Sequence, residues 1–316
     1  MKPPSVQRHF SFSFPMWGKL FSCIPAEICY TKEVDKKADN TPSNGTFYET
    51  GGDGMSGQTS LSPVGIFDSG LGGISVLREA VKQLPHENFI YFGDSYHAPY
   101  GIKSHDQVLQ LSKKALRHLL RQGVKAVVIA CNTATGAAAK TLRTLYPELP
   151  IIGIEPAVKP AVLHHPGGRV VVMATPRALK EEKLLRLIAQ YENQAEIFRL
   201  PCGGLMEFVE RGELDGDRLN RYLHQRFDPL IDRPVNAVVL GCTHYPFVKK
   251  AIRKVAGPQA EIFDGSAGTV RELGRRLKEA GLLSNRDETG WVRFENSSPD
   301  LSYITRSETL FHLPET

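Results

Sequence analysis

No stretch of this chain approaches the roughly 18 to 20 consecutive apolar residues that cross a bilayer, because its apolar strings are short and end at Gly, Pro or a charge. A membrane-spanning helix is not expected. Cysteine is scarce too: five in 316 residues, an odd number with no C-x-x-C pair, which is not a disulfide framework and fits a reducing compartment such as the cytoplasm. Charge of one sign is equally lacking. Lys plus Arg is 39 against 34 acids, a formal +5, which suits an anionic small molecule better than a nucleic acid. With 41% hydrophobic and 23% charged residues, what remains is an ordinary globular composition, neither fibrous nor wholly disordered.

Residues 1–62 differ in kind from the rest. Between Asn40 and Ser62, 17 of 23 residues are Gly, Ser, Thr, Asn, Asp or Gln, too polar to offset the entropy of ordering, so 1–62 is expected to be a disordered extension and linker. Pro15, Lys19 and Pro25 interrupt the apolar stretch at 10–30, which argues against a secretory signal, and Met55 offers an internal start. From residue 64 onward, β-branched runs at 64–67, 89–92, 124–130, 151–154, 169–174, 196–199, 235–241 and 261–263 predict strands. Helical patterns at 74–84, 106–122, 134–146, 177–191, 217–232 and 246–256 lie between them. Apolar strands alternating with helices predict an α/β fold of mainly parallel sheets covered on both faces, with chemistry at the strands' carboxyl ends.

The chain repeats itself once. Val124-Lys-Ala-Val-Val-Ile-Ala-Cys131-Asn132-Thr133 matches Val235-Asn-Ala-Val-Val-Leu-Gly-Cys242-Thr243-His244, so each copy delivers a cysteine at the end of a buried strand. Two pseudo-symmetric halves facing one another would bring both thiols to an inter-domain cleft. Two similar groups flanking one small molecule suit inversion of a carbon centre, in which one removes a proton and the other returns one to the opposite face. Thiols can serve as acid or base, since free cysteine titrates near about 8.5. His244 is placed to manage the proton of Cys242, and Asp68, an acid at a neighbouring strand end, that of Cys131. Other readings are a zinc site from Cys131, Cys202, Cys242 and His244, or a Cys-His hydrolase that leaves Cys131 unused.

Asp68-Ser69-Gly70-Leu71-Gly72-Gly73 joins the first strand to a helix, where glycines let backbone N–H groups approach an anion. Ser75 stands where a dinucleotide fingerprint needs its third glycine, so that reading fails. Pro99-Tyr100-Gly101 offers a second backbone clamp, and Asn132, Thr133, Thr135 and Thr243 supply neutral polar groups for an amino acid. No lysine has Schiff-base surroundings, so neither cofactor nor metal is expected.

Together, Gly65-Ile-Phe-Asp68-Ser69-Gly70-Leu71-Gly72-Gly73, Pro99-Tyr100-Gly101, Ala130-Cys131-Asn132-Thr133-Ala134 and Gly241-Cys242-Thr243-His244-Tyr245-Pro246 resemble the bacterial glutamate racemases, a cofactor-independent branch of the aspartate/glutamate racemase group. The resemblance runs from about Pro63 to beyond Asp264. It implies that Cys131 acts on the D face and Cys242 on the L face, with Asp68 assisting the first and His244 the second. The segment from Cys202 to Glu210 gives Glu210 a supporting role beside His244. Substrate binding falls to Ser69, Tyr100, Gly101, Asn132, Thr133, Thr175 and Thr243. Ala178 stands where the family usually carries a second threonine.

The resemblance also implies a discontinuous first domain, 63–156 plus 265–316, around a second at 157–264, and a homodimer. A UDP-linked peptidoglycan precursor is a candidate regulator, and the product D-glutamate would feed peptidoglycan. Alternatives are a racemase of the same group for aspartate or another amino acid, and a binding module without turnover.

Overall fold

In the computed structural model, residues 58–230 and 232–314 are described, so the expectations for Met55 and for most of the extension lie outside the described residues. Along the chain run β1 (Val64–Asp68), α1 (Ile74–Gln83), β2 (Phe89–Gly93), α2 (His105–Leu120), β3 (Ala126–Ile129), α3 (Asn132–Leu145) and β4 (Ile151–Gly153). Next come α4 (Val158–His164), β5 (Arg169–Ala174), α5 (Glu182–Ala189), β6 (Glu196–Pro201), α6 (Leu205–Glu210), α7 (Asp217–Phe227), β7 (Ala237–Leu240), α8 (Lys249–Ala256) and β8 (Glu261–Asp264). The chain closes with α9 (Ser266–Glu279), β9 (Val292–Asn296) and α10 (Ser302–Phe311).

Every strand pairing is parallel. One sheet has the order β4-β3-β1-β2-β9 and the other β6-β5-β7-β8. Read from the other edge, the second is β8-β7-β5-β6, the arrangement of β4-β3-β1-β2 with β9 left over. The internal repeat is thus a repeat of topology, and β3 and β7, which precede the two cysteines, occupy equivalent places. All residues of β1, β3, β5 and β7 are buried, as strands between two helical layers must be. After β8 the chain returns to the first sheet: α9 packs on α1, and α10 on α1 and β9.

Several helices differ from the predicted ranges. The pattern at 177–191 divides into a 3-10 turn at Ala178–Lys180 and α5, because Glu181 between them is extended (φ −69°, ψ 129°). The helix predicted for 217–232 stops at Phe227, where Pro229 follows in a 3-10 turn and cannot continue the ladder. At 246–256 the first turn is 3-10 over Tyr245–Val248, and α8 follows. The helix predicted from 134 begins at Asn132, with Cys131 as its N-cap.

Candidate active site

Asp68 is the last residue of β1, and its carboxylate is fully buried. It accepts from Gly70 N at 2.9 Å, from Thr243 Oγ1 at 2.9 Å and, at a stretched 3.5 Å, from Ser69 Oγ. Ser69 Oγ in turn accepts from the Cys131 thiol, also at 3.5 Å. Asp68 therefore reaches Cys131 through the Ser69 hydroxyl. Burial raises the Asp68 carboxyl above its ordinary value, although His244, Thr243 and Gly70 pull the other way.

Cys131 occupies the N-cap of α3, where Ala134 N donates to its sulfur at 3.4 Å. A helix N-terminus ordinarily favours a thiolate. Here burial and the Asp68 carboxylate outweigh it, and the thiol is pushed up to about 12. In the resting protein Cys131 carries its proton.

The second cysteine has different company. Cys242 Sγ lies 3.7 Å from His244 Nδ1, and His244 Nε2 lies 2.7 Å from Glu210 Oε1. Burial alone would lower the His244 value, but its hydrogen bonds to Cys242 and Glu210 raise it well above 6.5. His244 thus holds a proton within reach of the Cys242 sulfur.

The glycine-rich loop after β1 serves these groups. Gly70 N is taken by Asp68 and Leu71 N donates to Glu210 Oε1 at 2.8 Å, so both amides hold the protein's own carboxylates. A Cβ on Gly70 would stand 2.2 Å from Glu210 Oε1, and one on Gly72 2.4 Å from His244 Nδ1. Only glycine allows the second sheet's acid and imidazole to approach so closely. Ser75 Oγ, at the start of α1, lies 2.9 Å from the Thr243 carbonyl and fastens the two segments further.

One cleft gathers most of the predicted residues. Ser69, Tyr100, Gly101, Cys131, Asn132, Thr133, Thr175, Cys242, Thr243 and His244 line it, together with Met206 and Gly241, around about 320 Å³ of empty space, mouth included. Asp68 and Glu210 stand behind the lining. Asn132 Oδ1 is buried without a partner, an acceptor left open to a ligand. Tyr100 presents its body, since its hydroxyl donates to Asp94 Oδ2 at 2.6 Å. Cys202 is buried away from the cleft, its thiol directed at the Leu200 carbonyl, so the four-ligand zinc reading loses a member.

Two participants escape the sequence reading. Met206 lies one helical turn before Glu210 on α6, so the i, i+4 rule would have placed it beside the cleft once Glu210 was assigned there. Asp94 follows β2 as Asp68 ends β1, a parallel the motifs did not exploit.

The sequence model of the Asp/Glu/Hydantoin racemase family matches residues 68–273. A glutamate racemase of Clostridium perfringens is 48% identical over 252 residues, covering 80% of this chain and 97% of the relative. Among solved structures, the glutamate racemase of Francisella tularensis in complex with D-glutamate superposes with a TM-score of 0.70 at 28% identity, covering 80% of this chain and 95% of that one. The Escherichia coli glutamate racemase, in complex with L-glutamate and the activator UDP-MurNAc-Ala, gives 0.68 at 26% identity, over 79% and 95% of the two chains.

Proposed function

We propose, from the premise that this chain belongs to the Asp/Glu/hydantoin racemase family, that it interconverts L- and D-glutamate with two thiols acting on opposite faces of Cα. The observation that carries the reading is the cleft itself: two equivalent strands each lead into a cysteine, and both cysteines line one cleft.

In the L-to-D direction Cys242, as thiolate, takes the Cα proton and Cys131, resting protonated, returns one from the other side. Imidazolium His244, held by Glu210, balances the sulfur's charge. In the reverse direction Cys131 must first lose its proton and Cys242 must gain one, which imidazolium His244 supplies across their contact. Ser69 leads that proton to Asp68, whose raised value makes it a better acceptor.

The first N–H groups of α3, carried by Asn132 and Thr133, point the positive end of a 14-residue helix at a substrate carboxylate. Asn132 Oδ1 is the natural acceptor for the ammonium. Ser69, Tyr100, Gly101, Thr175 and Thr243 complete the binding surface. Ala178 contributes its backbone N–H to Thr175 Oγ1 at 3.2 Å, which fixes that hydroxyl without the second threonine.

The same reading assigns 63–156 plus 265–316 to one folding unit and 157–264 to the other. It includes work in the cytoplasm, D-glutamate supply for peptidoglycan, a homodimer, and activation by a UDP-linked precursor of the kind bound by the Escherichia coli relative. A chiral assay of glutamate with chelator present and no cofactor added tests the central step. Conversion of each enantiomer into the other is expected; no conversion of glutamate, or conversion of aspartate at a higher rate, would overturn the assignment.

A further inference from the structure

Glu210 belongs to the second sheet's side of the cleft, yet both of its polar ends are held from the first. Its carboxylate accepts from Leu71 N, in the loop before α1. Its carbonyl accepts from Arg306 Nη1 of α10 at 3.1 Å. The last carbonyls of a helix need partners from outside the helix ladder. In α6 those of Glu207, Phe208 and Val209 are met locally, by the N–H groups of Arg211, Glu213 and Gly212. The carbonyl of Glu210 instead meets a guanidinium from the far end of the chain. A cation there also complements the helix's negative end. Tyr303, one turn earlier on α10, places its ring 5.0 Å beneath the guanidinium and limits its freedom.

Since α10 packs on α1, and the loop holding the carboxylate opens into α1, both grips on Glu210 come from one packed unit. We infer that Arg306 is a positioning residue for the Cys242 side of the reaction: it fixes the end of α6 so that Glu210 meets His244 Nε2 and His244 meets Cys242. The inference rests on the two-thiol reading above and adds to it a residue outside the cleft.

Rates alone cannot test this. The enantiomers have equal free energy, so any loss in kcat/KM is equal in the two directions. Isotope effects separate the two thiols. If the step at Cys242 slows, abstraction from L-[2-²H]glutamate limits the rate more fully and its primary isotope effect rises. The effect with D-[2-²H]glutamate falls, because abstraction by Cys131 limits less. Arg306→Ala is expected to lower kcat/KM about tenfold in both directions, the scale of a lost charged hydrogen bond, and to move the isotope effects apart in that sense. Arg306→Lys, which keeps a charged donor, is expected to recover most of the rate and the wild-type isotope effects.

A reduced rate with both isotope effects unmoved would mean merely less folded enzyme and would overturn the inference. So would a fully active Arg306→Ala, or an Arg306→Lys no better than alanine. Wild-type protein that leaves the Cα hydrogen of both enantiomers in place would instead overturn the functional reading on which the inference stands.

Discussion

Cys131 and Cys242 are the same side chain in opposite settings. The first is buried beside an acid and keeps its proton up to about 12; the second shares a hydrogen bond with an imidazole that Glu210 holds in its charged form. Neither can replace the other, so Cys131→Ala and Cys242→Ala are each expected to lower racemisation roughly a thousandfold or more, read by chiral chromatography. A single mutant with near-wild-type rates would contradict the scheme. His244 gives a pH test with a defined sign. Its folded value lies above 6.5, so the stability it contributes is fully present below about 6.5 and fades as pH rises through the folded value. His244→Gln should cost most in denaturant titrations near about pH 6 and less in alkaline buffer; a deficit that widens with pH would contradict this. Both cysteines and His244 were legible in the sequence because a strand repeat ended on them. Glu210 was not: nothing in its spacing points to His244, and only the family resemblance supplied it. Met206 was legible only through Glu210, one helical turn later, because a methionine on a short helix taken alone reads as core.

The loop between β1 and α1 is built for close approach, not for a ligand's phosphate. Gly70→Ala and Gly72→Ala would drive a methyl into Glu210, which cannot retreat without leaving His244, and into His244, which cannot retreat without leaving Cys242. Each is expected to cut kcat at least about tenfold while the far-ultraviolet spectrum stays unchanged; undiminished kcat would show that the contact is slack. Helix α2 depends on a different device. Ser104 accepts from Gln107 N, and Ser104 N donates to the Gln107 side chain, a reciprocal cap. Ser104→Ala is expected to cost about 1 kcal/mol, seen as a lower denaturant midpoint at unchanged slope.

Periodicity showed the central strands and most of the longer helices, but α9 and α10, after the last predicted strand, were not among the predicted helices, and it also failed where an element is short or interrupted. α6 has six residues and starts after Gly204 at φ 91°, too little for a pattern to show. α4 carries Pro160 in its first turn and reads as a loop, although proline is tolerated where the N–H has no helical partner. β9 is an edge strand, Val292-Arg-Phe-Glu-Asn, buried on alternate residues only, and lacks the continuous apolar run by which its neighbours were recognised.

Across the molecule, the two sheets share one strand order, and the acids beside the thiols are anchored crosswise. Asp68, at the end of β1, accepts from Thr243 beyond β7, and Glu210, at the end of α6, accepts from Leu71 beyond β1. The cleft is therefore complete only when the two halves meet. The repeat announced this symmetry in the sequence. The crossing of the supports was not legible there, because it depends on contacts between residues more than a hundred positions apart. The two-thiol geometry is tested most directly by the first turnovers of L-glutamate in D₂O, followed by mass and chirality together. Two opposed thiols take protium on one side and return solvent deuterium on the other, so the D-glutamate formed should carry deuterium at Cα while the remaining L-glutamate keeps protium. Product that retained the substrate's own protium, or L-glutamate that exchanged before it inverted, would mean one group serving both faces and would contradict the account.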